Sequence, residues 1–134
     1  MWAGALVGSG LFLAGKQCRY PCRRAALRLA AETGSPFLQC LAVLQLEAYR
    51  AACRQAPGRL ARLAGMVWGV GPDGKESPEG LALAGAQALE SLLRALGLPI
   101  RPQDAGITKL SQFKTFVKQA ACAAGGDDSL LPAV

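Results

Sequence analysis

Prolines mark the starts of successive segments that carry the apolar spacing of helices. Proline is tolerated in the first turn of a helix and disrupts a helix interior, so it shows where one helix has ended and another can begin. Pro21, Pro57 and Pro78 each precede such a segment, and Ser35-Pro36 forms a turn before a fourth. This spacing predicts several short helices in succession rather than one long helix.

The apolar positions in these segments recur at helical spacing and predict which side of each helix faces a core. Helices are expected at Pro21–Thr33, Phe37–Arg54, Pro57–Trp68 and Ser77–Gly97, and a last one is capped by Thr108. In the third, the expected inward residues are Leu60, Leu63, Ala64 and Val67, and in the last they are Leu110, Phe113, Val117 and Ala120. The residues from Val70 to Lys75 are expected to form a loop.

The overall composition favours a single helical domain. Of 134 residues, 51% are hydrophobic and only 6% are aromatic, so the interior would be built from Ala and Leu rather than from β-branched or aromatic side chains. We expect an all-α bundle of five or six helices over residues 1–124, followed by a flexible tail over 125–134. The chain is too short to hold a complete dinucleotide-binding domain as well.

The segment Trp2–Gly15 is uncharged, apolar and rich in glycine. It is shorter than the roughly 20 residues that a spanning helix needs, so no transmembrane span is expected. A buried helix in a cytoplasmic protein is the simpler interpretation. The acid-free, arginine-rich stretch that follows also resembles an organellar transit peptide, and this remains the alternative localisation.

The formal net charge of +6 permits binding to anionic partners, and the positive charge is concentrated early in the chain. No acidic residue occurs from Met1 to Ala31, where Lys16, Arg19, Arg23, Arg24 and Arg28 cluster. Only Tyr20 could stack on a base among these arginines, which argues against nucleic acid as a partner. A solvated helix face explains the cluster more simply.

Catalytic chemistry has few residues to draw on. The chain contains no histidine, so the usual general base and the common nucleophile pairs cannot be assembled. The five cysteines lack the spacing of a zinc site and are interpreted as buried or unreactive thiols. Asp73, Glu76 and Glu79 lie by the loop, Asp127 and Asp128 in the tail, and Glu32, Glu47 and Glu90 on separate helices, and no pair has the spacing of a general acid and base. We therefore predict no catalytic, cofactor-binding or metal-binding residue in this chain.

Three motifs appear in order after Gln55. They are Pro57-Gly58-Arg59-Leu60-Ala61-Arg62-Leu63-Ala64, then Leu96-Gly97-Leu98-Pro99, then Asp104-Ala105-Gly106-Ile107. Together they resemble the C-terminal helical domain of the iron-dependent alcohol dehydrogenases, which belong with dehydroquinate synthase-like enzymes. Upstream, Gly34-Ser35-Pro36-Phe37 is similar to a turn of that family. The resemblance implies an all-α fold, with iron and NAD(P) as the family's cofactors.

The metal-binding histidines of that family have no counterpart here. A helical pair of family histidines corresponds to Arg24 and Arg28, and the turn histidine corresponds to Phe37. The resemblance assigns metal ligation to the positions of Arg24 and Phe37. An arginine is a cation and phenylalanine has no lone pair to donate, so no bound cofactor is expected in this chain.

The resulting functional hypothesis is a diverged or truncated oxidoreductase domain without activity of its own, serving a structural or partner-binding role. Its partner would be a second copy of the chain or a separate nucleotide-binding subunit. The alternative is an unrelated basic helical module that binds nucleic acid or an anionic surface through Arg19–Arg28.

Overall fold

The computed structural model describes residues 21–71 and 77–125, and within them every regular element is helical. The order is α1 (Pro21–Thr33), α2 (Phe37–Gln55), α3 (Pro57–Trp68), α4 (Pro78–Ala95), a 3₁₀ turn (Gln103–Ala105) and α5 (Leu110–Gly125). The predicted all-α bundle is therefore confirmed, with five α-helices in the described part of the chain. Their bounds agree with the predicted ones to within a few residues.

Proline and serine set the starts of the helices as the sequence predicts. Pro57 and Pro78 occupy first-turn positions of α3 and α4. The Ser77 hydroxyl accepts a hydrogen bond from the backbone N–H of Gly80 at 3.2 Å, which satisfies one of the free donors at the start of α4. Only Ala56 separates α2 from α3, because Pro57 cannot extend the preceding helix.

Glycines in the left-handed conformation end three of the helices. Gly34, Gly69 and Gly97 follow α1, α3 and α4 with φ values of 70°, 67° and 68°. A side chain disfavours this conformation, which explains why glycine occupies each of these positions. The helix ends predicted at Gly34, Gly69 and Gly97 are confirmed.

The helix α2 lies at the centre of the bundle and contacts all the other elements. On one side it packs with α1 and α5 in a cluster built from Ala26, Leu29, Cys40, Val43, Leu44, Ile107, Phe113 and Phe116. On another side, Ala42 and Leu46 pack with Leu93 of α4. Burial of these apolar side chains, at about 25 cal/mol per Å², is the main source of stability.

The inward face of α5 differs from the predicted one. Phe113 and Ala120 are buried as expected, but Leu110 is 41% exposed and Phe116 is buried in its place. Phe116 lies beneath the guanidinium of Arg28, which stands 5.4 Å from the ring centroid. The helix begins at Leu110, so Thr108 lies two residues before it. Val117 is partly buried against the same cluster, so the inward face of α5 is the predicted one without Leu110 and with Phe116 added.

Several expectations fall outside the described residues. These are the N-terminal helix over Trp2–Gly15, the first part of the arginine-rich stretch that follows it, most of the predicted loop at Val70–Lys75, and the tail after Gly125. Val70 and Gly71 are described and are not helical, in agreement with a loop that starts there.

Candidate functional site

The position of α3 is set by small residues at its contact with α4. Ala64 is fully buried, and it is the only buried residue of α3. It faces Gly85 of α4, where an added Cβ would lie 2.8 Å from the Ala64 Cβ. The absence of a side chain at Gly85 lets the two helices approach closely along this line.

This close contact leaves an apolar surface on the outer side of α3. Leu63 is 41% exposed, Val67 is 58% exposed and Met66 is 82% exposed. We call these three residues the α3 apolar strip. Single exposed apolar residues are common on protein surfaces, but a group of three on one short helix marks a surface that another molecule can cover.

The strip corrects the predicted orientation of α3. Leu60, Leu63, Ala64 and Val67 were expected to face inward, yet only Ala64 is buried and Leu60 is partly buried. A prediction from apolar periodicity is dominated by the large side chains, whereas the close contact between α3 and α4 is made by Ala64 and Gly85. The small residues Ala82, Gly85 and Ala86 share one side of α4, and this spacing was the sequence signal that could have predicted a close contact between helices.

A groove with a volume of about 620 Å³ lies between α2 and α4. It is lined by Arg50, Cys53, Arg54, Glu79, Leu83, Ala86, Gln87 and Glu90. Two arginines and two glutamates contribute opposite charges, so the groove carries no net charge that would select one kind of ligand.

An ion-pair network closes one part of this groove. Glu90 accepts a hydrogen bond from Arg50 at 2.5 Å and another from Arg94 at 2.6 Å, and Arg50 also pairs with Glu47 at 2.7 Å. The hydrogen bond from Arg94, together with the charge of Arg50, lowers the pKa of the Glu90 carboxyl. Glu90 is therefore an anion that joins α2 to α4, and it is unsuited to act as a general acid near neutral pH.

Cys53 at the groove has the burial of a structural thiol. It is 3% exposed, and burial raises its pKa. A nucleophilic cysteine needs a thiolate, which low-dielectric surroundings disfavour. Cys22 is partly buried with a pKa raised to about 11 by burial, and Cys40 is buried with its pKa raised for the same reason. These three are free thiols, in keeping with the interpretation of the cysteines as unreactive.

The residues at the two positions where the resemblance would place metal ligands do not come together. Arg24 lies near the start of α1 and Phe37 at the start of α2, so most of α1, about 14 Å at 1.5 Å per residue, separates them. Arg24 is exposed, while Phe37 packs against the cluster formed by α1, α2 and α5. Neither side chain can donate a lone pair to a divalent cation, so these positions do not fit iron and provide no step of an iron-dependent reaction.

Potential metal ligands are also dispersed elsewhere. Within residues 21–71 and 77–125, no group of three or more Cys, Asp or Glu side chains could hold a metal ion. Over the same ranges, no helix combines the length and hydropathy required to cross a bilayer.

The described part of the early basic cluster forms only a narrow surface on α1. Arg24 and Arg28 are exposed, and Arg23 is partly buried. The guanidinium of Arg28 already stacks on Phe116. Arg19 lies outside the described residues. The structure thus brings no aromatic platform together with these cations in its described part.

The chain matches no protein-family model, and neither a curated protein nor a solved structure is significantly similar to it.

Proposed function

We propose that this chain is a non-catalytic helical domain that acts by binding another protein through the α3 apolar strip. Its sequence motifs support an origin in the C-terminal domain of an iron-dependent alcohol dehydrogenase-like enzyme. On this proposal the domain retained a helical scaffold and lost the metal ligands. A separate nucleotide-binding subunit is among the partners that such an origin would provide.

One observation carries the binding role: α3 buries only Ala64 completely, while Leu63, Met66 and Val67 remain exposed. Leaving a long apolar side chain in water forgoes about 1.5–3 kcal/mol relative to full burial. A partner that covers these side chains would recover part of that free energy. The groove between α2 and α4 supports a binding role less well, because its lining carries two arginines and two glutamates, and Arg50 and Glu90 already pair with each other.

A photo-crosslinking experiment in the native cells tests this role. A benzophenone amino acid placed at Met66 should give a discrete adduct with another protein. The same group at Leu38, which is 63% exposed on α2, serves as the matched control and should give none. The additional change Leu63→Glu should abolish the Met66 adduct. Equal labelling from both positions, or no discrete adduct from position 66, would contradict the proposal.

The loss of catalysis has its own test. The purified chain should bind neither iron nor zinc stoichiometrically and should not oxidise a short alcohol with NAD(P). Stoichiometric metal together with alcohol oxidation would refute the inactive role while leaving the family resemblance in place.

The basic-module alternative predicts a different behaviour. Retention on DNA or on acidic liposomes that weakens with salt, and that is lost when Arg23, Arg24 and Arg28 are all changed to Ala, would favour it. The stacking of Arg28 on Phe116 gives that arginine a structural role, so we place this alternative second.

A further inference from the structure

Two arginines lie beside the α3 apolar strip. Met66 follows Arg59 by seven residues and Arg62 by four, and Leu63 follows Arg59 by four. At 3.6 residues per turn these spacings place all four side chains on one side of α3. Arg59 and Arg62 are both exposed. The outer side of α3 therefore combines an apolar centre with a positively charged edge.

In the described part of the chain, no acidic residue forms an ion pair with these two arginines. From Ala48 to Gly71 the charged residues are Arg50, Arg54, Arg59 and Arg62, all of them cations. Within the described part of the chain, the ion pairs involve Glu47 and Glu90 and reach neither Arg59 nor Arg62. The positive edge is thus available to carboxylates from another molecule.

The position of Arg59 gives no benefit to helix stability. It is the third residue of α3, whose first turn contains no acid. The partial positive charge at a helix N-terminus disfavours a cation there. A role outside folding accounts for the arginine better than a stabilising one does.

A second copy of the chain is a poor occupant of this surface. A two-fold dimer places the same patch of both subunits face to face, which would bring Arg59 and Arg62 of each copy together without intervening acids. Like charges juxtaposed in an interface are strongly unfavourable. An occupant must instead bring negative charge.

Lipid is also a weaker fit than protein. Leu63 and Val67 are about half covered by the rest of the domain, and only Met66, at 82% exposure, projects freely. Membrane insertion depends on the apolar area that enters the bilayer, and one projecting side chain supplies little. The surface from Arg59 to Val67, which contains the α3 apolar strip, is about 12 Å long at 1.5 Å per residue, about the length of two helical turns.

On the basis of the partner-binding function proposed above, we infer that the partner covers the α3 apolar strip with an acidic amphipathic helix. Its apolar residues would pack on Leu63, Met66 and Val67. Glu or Asp side chains at the edge of that helix would pair with Arg59 and Arg62. An amphipathic helix is commonly bound through its apolar face, and the charges at its edge would select the partner.

The test uses the full chain and a phage-displayed library of helical peptides in which the surface positions are randomised. Peptides are selected on the unaltered protein and counter-selected on the Met66→Glu variant, so that only binders of the strip remain. We expect these peptides to carry net negative charge next to apolar residues spaced i, i+3, i+4 and i+7. A neutral or basic set of Met66-dependent peptides would overturn the inference.

A synthetic copy of the most enriched peptide then measures the contribution of the arginines. Changing Arg59 and Arg62 together to Gln should weaken its binding by about tenfold at low salt, and raising the salt should reduce that difference. The Leu38→Glu variant should bind as the unaltered protein does. Undiminished binding by the double Gln variant would overturn the inference.

Two outcomes separate this inference from the partner-binding function. If the Met66 crosslink to another protein appears in cells but the selected peptides are not acidic, the partner-binding function stands and the acidic partner is wrong. If the protein instead binds vesicles containing about a quarter phosphatidylserine, or associates with itself, and Met66→Glu abolishes this, both proposals fail.

Discussion

Gly85 of α4 and Tyr49 of α2 meet so closely that a Cβ on Gly85 would lie 2.6 Å from the Tyr49 hydroxyl oxygen. The same hydroxyl donates a long hydrogen bond, 3.4 Å, to the carbonyl oxygen of Leu60 in α3. Three helices therefore converge at this point, and burial raises the pKa of Tyr49. The orientation of α3, and with it the apolar strip, depends on this junction.

The first prediction concerns Gly85→Ala. The new methyl group would meet both the Tyr49 hydroxyl and the Ala64 Cβ, and such overpacking costs about 1–3 kcal/mol. That cost exceeds the gain of at most about 1 kcal/mol from replacing glycine within a helix. Urea denaturation should therefore show a net loss of stability.

Gly58→Ala is the control, because a Cβ at Gly58 meets nothing within 4 Å, and it should be neutral or stabilising. Adding Tyr49→Phe to Gly85→Ala removes the hydroxyl that the new methyl group meets, so part of the lost stability should return. The recovery should be incomplete because the contact with the Ala64 Cβ remains. A Gly85→Ala variant as stable as Gly58→Ala would show that α3 and α4 do not meet at this glycine.

The second prediction tests the orientation of α3. Met66 is 82% exposed and Ala64 is fully buried, so Met66→Gln should change the free energy of unfolding by no more than about 0.5 kcal/mol. Ala64→Leu should lower it by about 1–3 kcal/mol through overpacking. Thermal or urea unfolding measures both. The opposite ranking would contradict this orientation of α3, with Ala64 inside and Met66 outside.

The third prediction concerns pH. The hydrogen bond from Arg94 and the charge of Arg50 lower the pKa of Glu90 from its ordinary value of 4.5. A carboxyl whose pKa is lower in the folded state adds stability above its unfolded pKa, and that contribution disappears as the pH falls through the folded pKa. Glu90→Gln should thus be less stable than the unaltered chain at neutral pH, and the gap should narrow below about pH 4.5.

The midpoint of urea unfolding, followed from neutral to acidic pH for both proteins, measures this gap. Glu32→Gln, at an exposed residue of α1, also removes one negative charge and controls for the general effect of changing one charge. A constant gap across the range would mean that the Glu90 carboxylate contributes nothing through its ionisation.

The fourth prediction separates backbone strain from a steric contact. Gly97 and Gly106 both have positive φ, at 68° and 73°, so alanine at either position costs about 1–2 kcal/mol. At Gly106 a Cβ would also lie 2.9 Å from the Ser35 Oγ, whereas at Gly97 it meets nothing within 4 Å. Gly106→Ala should therefore destabilise the protein more than Gly97→Ala does.

Ser35→Ala in the Gly106→Ala background removes the contacting oxygen and should bring the loss back to that of Gly97→Ala. Thermal melts of the four proteins suffice. If the double variant is still less stable than Gly97→Ala, the contact with the Ser35 hydroxyl does not explain the additional loss of stability at Gly106.

The sequence by itself determined the helices and their ends. Pro57, Ser77 and Gly97 act through their own backbone and side-chain chemistry, which is local and does not depend on the rest of the fold. The absence of histidine likewise limits the available chemistry whatever the fold.

The tertiary structure decided which side of each helix is buried where the local pattern was ambiguous. Apolar side chains line more than one side of α3. The side that carries Ala64 is buried because its small side chain lets α3 approach Gly85 of α4 closely, and not because that side is the most hydrophobic. In α5, Phe116 is buried and lies under Arg28 of α1, while Leu110, which was expected to face inward, is 41% exposed. Such choices depend on partners distant in sequence, and for that reason the exposed strip beside Arg59 and Arg62 emerged only from the assembled bundle.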